Sequence, residues 1–387
     1  MLHTIKHILS QTLASLQKKR NDNKQLAKYQ EMLNEVESFV QKQTNESNLL
    51  LVRLDDIGDF ILFAPSLKIL LDNFKNQNQK LFFLGNTVCK SLFENLFPES
   101  NVETIWLNKG EWFSNPIYRN EAFVKLSEIK PETILFPSFT RSILLEGLIK
   151  SLFPNIKAVA WSAKSGFNQH ILNHNYSLLF ERPAHGHELE INSDFVEKYL
   201  KLELPNKQDF LCFNLPEFNL PEKYFVVCMG GNQGSKRWSE KSYAKLAEHY
   251  SNLQPDYSCI ILGGAGDVSS AEKFKATYSK INYIDLTGKT NLLEFAKVCK
   301  EAQLIICNDT SAAHFGALQG TRVFVIANGN RYGRFFPYPK DFQNVAAIFP
   351  GSKNFTSPKY YDWGGKMNIN MIQVKAAKIA LNDFLGI

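Results

Sequence analysis

Leu49-Leu50-Leu51-Val52-Arg53-Leu54-Asp55-Asp56-Ile57-Gly58-Asp59-Phe60 is the stretch that decides the fold. The apolar run at 49–54 reads as the first core strand, and the carboxylates and glycine after it are turn residues. Residues 60–74 then repeat apolar side chains at helical spacing, so the unit is strand, tight loop, helix. Such a unit opens a doubly wound α/β sheet.

Working outward, residues 80–84, 102–107, 133–136 and 158–161 are further strand candidates separated by helical stretches, an alternation that implies a parallel sheet. The segment 205–221 is rich in Pro and Asn, lacks either period, and reads as an interdomain linker. A second alternation follows, with strands at 224–229, 258–262, 304–307 and 322–326 and helices at 239–252, 268–280, 292–300 and 312–319. A last helix is expected at 371–385. The chain of 387 residues has room for two cores. The expected division is a helical extension at 1–47, a first Rossmann-like domain at 48–215, a second at 216–365, and a C-terminal helix within 366–387 that packs back across both.

Composition narrows the class. At 44% hydrophobic and 21% charged residues the chain is an ordinary globular one, and its longest apolar runs fall far short of the roughly 20 residues that cross a bilayer. No cleavage site follows the first residues, so cytoplasmic residence is expected. The 6 cysteines are scattered without a Cys-x-x-Cys pair and read as reduced core residues, not a zinc or disulfide framework. His170, His174, His185 and His187 lie close in sequence, but no acidic or Cys ligand has suitable spacing, so no metal site is expected. A net charge of +6 without a concentrated basic stripe argues against nucleic acid and suits an anionic small substrate. Part of the excess lies in residues 1–28, where Leu2, Ile5, Ile8, Leu9, Leu13 and Leu16 line one face of an amphipathic helix. That helix either docks on the body, the simpler reading, or makes peripheral contact with the inner, anionic membrane surface.

The chemistry concentrates at strand ends. Met229-Gly230-Gly231-Asn232-Gln233-Gly234-Ser235-Lys236-Arg237-Trp238 joins a strand to a helix. Glycines there let backbone amides approach an anion, the helix N-terminus adds its dipole, and Lys236 and Arg237 supply formal charge. Gly230, Gly231, Ser235 and Arg237 are therefore candidate phosphate-binding residues. Asn308-Asp309-Thr310-Ser311-Ala312-Ala313-His314 repeats the arrangement, with Asp309, Thr310 and Ser311 at a helix start and His314 one turn in, either a ligand contact or a core histidine. Asp267, after Gly263-Gly264-Ala265-Gly266, is placed to accept from ribose hydroxyls, although these glycines are not a dinucleotide fingerprint. In the N-terminal half, the loop at 55–59 clusters carboxylates on a strand-to-helix turn, where one can be kept basic enough to take a proton, unless Asp59 merely caps the helix at Phe60.

Three ordered motifs, Val52-Arg53-Leu54-Asp55-Asp56-Ile57-Gly58-Asp59, Ser235-Lys236-Arg237-Trp238 and Asp309-Thr310-Ser311 with His314, together resemble the lipopolysaccharide heptosyltransferases, glycosyltransferase family 9. Phe139-Thr140-Arg141-Ser142, His187-Glu188-Leu189-Glu190 and the run from Leu286 to Leu292 add to the likeness, which spans about residues 48–330. Ser311 stands where the family often has Gly, and residues 1–47 have no counterpart in its usual pattern. The resemblance implies a GT-B fold, two Rossmann-like domains facing a cleft, and inverting, metal-independent transfer of a heptose-like sugar from an ADP-sugar, a co-substrate with no further cofactor. It implies Asp59 as general base, Lys236 neutralising the departing diphosphate, and acceptor contacts from Arg53, Asp56 and Arg141. The acceptor would be a saccharide or lipid-linked saccharide, such as lipopolysaccharide core. A sugar-nucleotide epimerase or hydrolase of the same fold, or a non-catalytic assembly subunit, are the alternatives.

Overall fold

A computed structural model describes residues 21–40, 47–75, 79–163, 172–174, 176–204, 211–231, 234–279, 282–350 and 368–387. The basic segment 1–20, His170 and the first part of the expected linker lie outside the described residues. Strand β1 (Asn48–Arg53) is buried along its whole length, as the middle of a parallel sheet must be when both faces are covered. It is flanked by β2 (Leu81–Asn86) and β4 (Pro131–Phe136), then by β3 (Glu103–Leu107), β5 (Lys157–Trp161) and β6 (Leu178–Phe180), in the order β3-β2-β1-β4-β5-β6. The second sheet runs β12 (Val345–Ile348), β11 (Val323–Ile326), β10 (Ile305–Asn308), β7 (Tyr224–Cys228), β8 (Ser258–Ile261), β9 (Tyr283–Asp285). Read from β9 it repeats the permutation of the first, and every recorded strand pairing in both sheets is parallel. Each sheet therefore reverses its strand order once, between β1 and β4 and between β7 and β10, which is where ligands of such sheets bind. The chain is an α/β protein of two Rossmann-like halves with an N-terminal helix.

The helices that follow β1 and β10 join the halves. Helix α2 (Ile57–Phe74) is apolar nearly all round, with Phe60, Ile61, Leu62, Phe63, Leu67 and Leu70 buried, because it is covered on two sides. On one side lies α7 (Glu188–Leu200), on the other α11 (Ser311–Leu318) from the second half. One apolar cluster accordingly runs from Leu49 and Phe83 through Phe63 and Phe315 to Ile305 and Val325. Helix α1, described from residue 21 to 36, docks on the first half: Tyr29, Met32 and Val36 enter its core and Glu35 holds the Arg119 guanidinium through two oxygens. For the described part of the extension, docking on the body is what its apolar face does. The last helix, α12 (Val374–Leu385), buries Ala377 and Leu381 in the core of the second half, against α8 (Glu240–Leu253) and β12. Among the described residues no helix is long and apolar enough to cross a membrane.

Candidate active site

Where β1 ends, Arg53 turns inward. Its guanidinium, with 1% exposure, pairs with Asp55 and Glu188, donates to Asn192 at 3.1 Å and lies over the Phe63 ring. Asp59 falls in the first turn of α2, not at its cap, which Asp56 occupies. Burial raises the Asp59 carboxyl to about 7, Asp55 and Glu188 push it in the same direction, and Arg53 and Arg334 oppose them. Arg334 comes from the second half: it donates to Glu188 at 2.6 Å and stands 3.8 Å from Asp59. A carboxylate half-ionised near neutral pH, beside a crevice, suits proton abstraction from a hydroxyl.

Two of the expected acceptor contacts need correction. Arg53 and Arg141 are both too buried to meet an acceptor; Arg141, also 1% exposed, is committed to Glu146, Asn173 and the carbonyl of Trp161. Arg141 has its donors satisfied inside the protein, and Arg53 is enclosed by Asp55, Glu188 and Asn192, so both organise structure. Arg53 instead orients Asp55 and Glu188 around Asp59. Asp56 remains 58% exposed and is paired with Lys109.

In the second half, Asn308 at the end of β10 ties the phosphate-loop candidate to the sheet. Its amide donates to the carbonyls of Met229 and Gly230 at 2.7 and 3.2 Å, and its oxygen accepts from Trp238 N and the Tyr243 hydroxyl. Lys236 donates to Asp309 at 2.7 Å, which brings the two loops together at the strand ends. Arg237 donates to the Gly231 carbonyl and to Asp267, and Asp267 also accepts from Gly264 N. A Cβ at Gly230 would stand 2.7 Å from Asp267 Oδ2, so only glycine admits that carboxylate. Asp267 thus shapes the loop from beneath. Ser235 is exposed at the loop's outer turn, and its carbonyl accepts from Asn328.

At the start of α11, Thr310 makes no side-chain cap, and its hydroxyl is buried against the Cys228 thiol. What this helix start offers an anion is its backbone amides and the half-buried Ser311. His314 also needs correction as a donor contact. It is 4% exposed, bonded to the Tyr338 hydroxyl through Nδ1 at 2.7 Å and stacked on Phe336, and burial pushes its pKa down to about 3, so it is a neutral packing residue. A Cβ at Gly58 would approach its Cδ2 to 3.1 Å and Ser311 Cα to 3.8 Å. The N-termini of α2 and α11 meet there, with Asp59 on one and the diphosphate candidates on the other.

Sequence reading missed Arg334 and Asn308 as site residues. Arg334 lies in a Gly- and Pro-containing stretch without period, and only folding brings it to Glu188. The loop carrying it is tied down further by His187, whose Nε2 donates to the Phe335 carbonyl while Nδ1 accepts from Leu189 N. Burial lowers His187 to about 4 and keeps it neutral. Among the described residues no group of three His, Cys, Asp or Glu is placed to hold a metal.

The family model for glycosyltransferase family 9 (heptosyltransferase) matches residues 139–362. No curated protein sequence matches the chain. Among solved structures, a family 9 glycosyl transferase from Veillonella parvula superposes with a TM-score of 0.65 at 15% identity, covering 89% of this chain and 99% of that one. The E. coli heptosyltransferase WaaC with ADP gives 0.63 at 13% identity over 88% and 98%. The E. coli ADP-heptose lps heptosyltransferase II gives 0.57 at 15% identity over 87% and 98%. At these identities the structures establish the GT-B fold, and the family model, matching more than half of the sequence, establishes that the chain belongs to glycosyltransferase family 9.

Proposed function

We propose that the protein transfers a heptose-like sugar from an ADP-activated donor to a hydroxyl of a saccharide acceptor, with inversion and without a metal. The observation that carries this reading is the Asp59 carboxyl, raised to about 7, at a helix start that abuts the start of α11, beside which Lys236 and Asp309 meet. Asp59 takes the proton of the acceptor hydroxyl as its oxygen bonds to the anomeric carbon and the bond from that carbon to the diphosphate breaks. ADP leaves with the electron pair. Lys236, Arg237 and the amides at the start of α11 stabilise the charge that develops on it. A single displacement from the opposite face inverts the anomeric centre. Fixed cations take the place a divalent ion would otherwise fill.

The donor lies with residues 216–365 and the acceptor with residues 48–215. Support for an ADP-heptose donor and a lipopolysaccharide-core acceptor comes from the relatives, one solved with ADP and another named for ADP-heptose and lps. The basic segment 1–20 suits peripheral attachment to the inner face of the membrane, tested by co-sedimentation with anionic vesicles.

ADP release from ADP-heptose, measured with and without a core saccharide, tests the reaction. Acceptor-dependent release that persists in excess chelator is expected. Release or epimer formation without acceptor would make the protein an epimerase or hydrolase. Asp59→Asn should lower turnover on the order of 10²-fold or more with donor affinity nearly unchanged, and unchanged turnover would remove Asp59 from the role.

A further inference from the structure

Between the two halves a cavity of about 270 Å³ is walled by Phe139, Thr140 and Arg182 of the first half and by the segment from Arg331 to Arg334 of the second, Arg334 standing 3.8 Å from Asp59. Three guanidiniums face this small space. That of Arg334 is neutralised by Glu188 and also donates to Thr140 at 2.8 Å. Those of Arg182 and Arg331 have no ion-pair partner among the described residues. Arg182 lies flat on the Phe139 ring, 3.5 Å from its centroid, and its Nε is buried without a hydrogen-bond partner. Arg331 is held with φ at +57°, a left-handed conformation that a non-glycine residue adopts at a cost. Burial first, then the neighbouring Arg334 charge, lowers Arg182 to about 10, with Glu188 opposing the shift. Arg331 is exposed and Arg182 half-buried, so a ligand can reach both, the unpartnered Arg182 Nε is a donor for it to satisfy, and guanidiniums match the two oxygens of an oxyanion.

We infer that this cavity is an oxyanion subsite in which Arg182 and Arg331 bind a carboxylate or phosphate carried by the acceptor near the hydroxyl it presents to Asp59. The inference rests on the transferase reading for the word acceptor, but not for the anion. The donor diphosphate has its own cations, Lys236 and Arg237, at the strand ends of the second sheet. An acceptor anion gripped by one residue from each half would be held only when the halves are together, and would fix the direction from which the hydroxyl meets the anomeric carbon.

The test uses the full chain, with inorganic phosphate and malonate as probes, reading thermal stabilisation first alone and then with saturating ADP. Phosphate or malonate should stabilise in both cases, the stronger of the two marking the kind of anion preferred. In Arg182→Gln and in Arg331→Gly the half-saturating concentration should rise about tenfold or more, with ADP affinity unchanged. Arg331→Gly is the informative variant, because glycine suits the local φ: its unliganded melting temperature should not fall although its response to the anion does. An anion effect that vanishes once ADP is bound assigns the arginines to the donor and overturns the inference. So does an effect that survives in both variants, or none at all. Failure to bind ADP while the anion effect remains would count against the transferase reading and leave the subsite standing.

Discussion

Asp59 is surrounded by opposing charges, so substitutions around it should move the acid limb of the activity profile in opposite directions. The limb is expected near pH 7, since the base must be ionised to work. Asp55→Asn removes a neighbour that raises the carboxyl and should shift the limb to lower pH; Arg334→Gln removes a cation that lowers it and should shift the limb upward. Profiles of kcat/KM for the two variants check the signs, and equal shifts would exclude the electrostatic account. The same raised value has a consequence for stability. Below about pH 4 the carboxyl is protonated whether folded or unfolded; between about pH 4 and 7 the unfolded chain releases this proton while the folded chain keeps it, so stability falls across that window and levels off above 7. Asp59→Asn should therefore melt at a higher temperature than the parent at pH 8, with the difference fading towards pH 4, while activity is lost.

At the scale of elements, the strands legible in the sequence and those not legible differ in position. Central strands such as β1, β7 and β10 are apolar runs because both faces are covered, and their reading stands to within a residue or two. The unread strands β6, β9 and β12 are sheet edges, three or four residues long and partly exposed, so they are too short to show a strand period. The loops that hold chemistry depend on how helices seat on strands. Gly316 of α11 faces Ile305 and Val323, and a Cβ there would come within 2.5 and 2.6 Å of their methyl groups. Gly316→Ala should cost about 1–3 kcal/mol by lifting α11 off its sheet, read by chemical denaturation, and should weaken donor binding. Asn308→Ala should do the same by another route, leaving the Tyr243 hydroxyl and two carbonyls without partners in the core; undiminished ADP affinity in a folded Asn308→Ala would sever Asn308 from the phosphate loop.

For the whole molecule, the two halves are joined by helices packed across the boundary and by one ion cluster, Arg53, Glu188 and Arg334, set inside it. Arg334→Ala leaves Glu188 buried with Arg53 as its one remaining cation, and Glu188→Gln leaves Arg53 and Arg334 without their shared anion, so each should lower the melting temperature, and the double variant should lower it less than their sum. The sequence by itself determined two parallel sheets, the glycine-bearing and hydroxyl-bearing loops at their strand ends, and the carboxylate loop at 55–59, because apolar periodicity and turn residues are local signals that survive without knowledge of partners. Tertiary structure alone decided which candidate side chains reach the crevice. Arg53, Arg141 and His314 turn inward to buried partners, the Thr310 hydroxyl is buried as well, and Arg334 arrives from a stretch without pattern to complete the surroundings of Asp59. Orientation and charge pairing arise between segments far apart in the chain, and no local pattern encodes them.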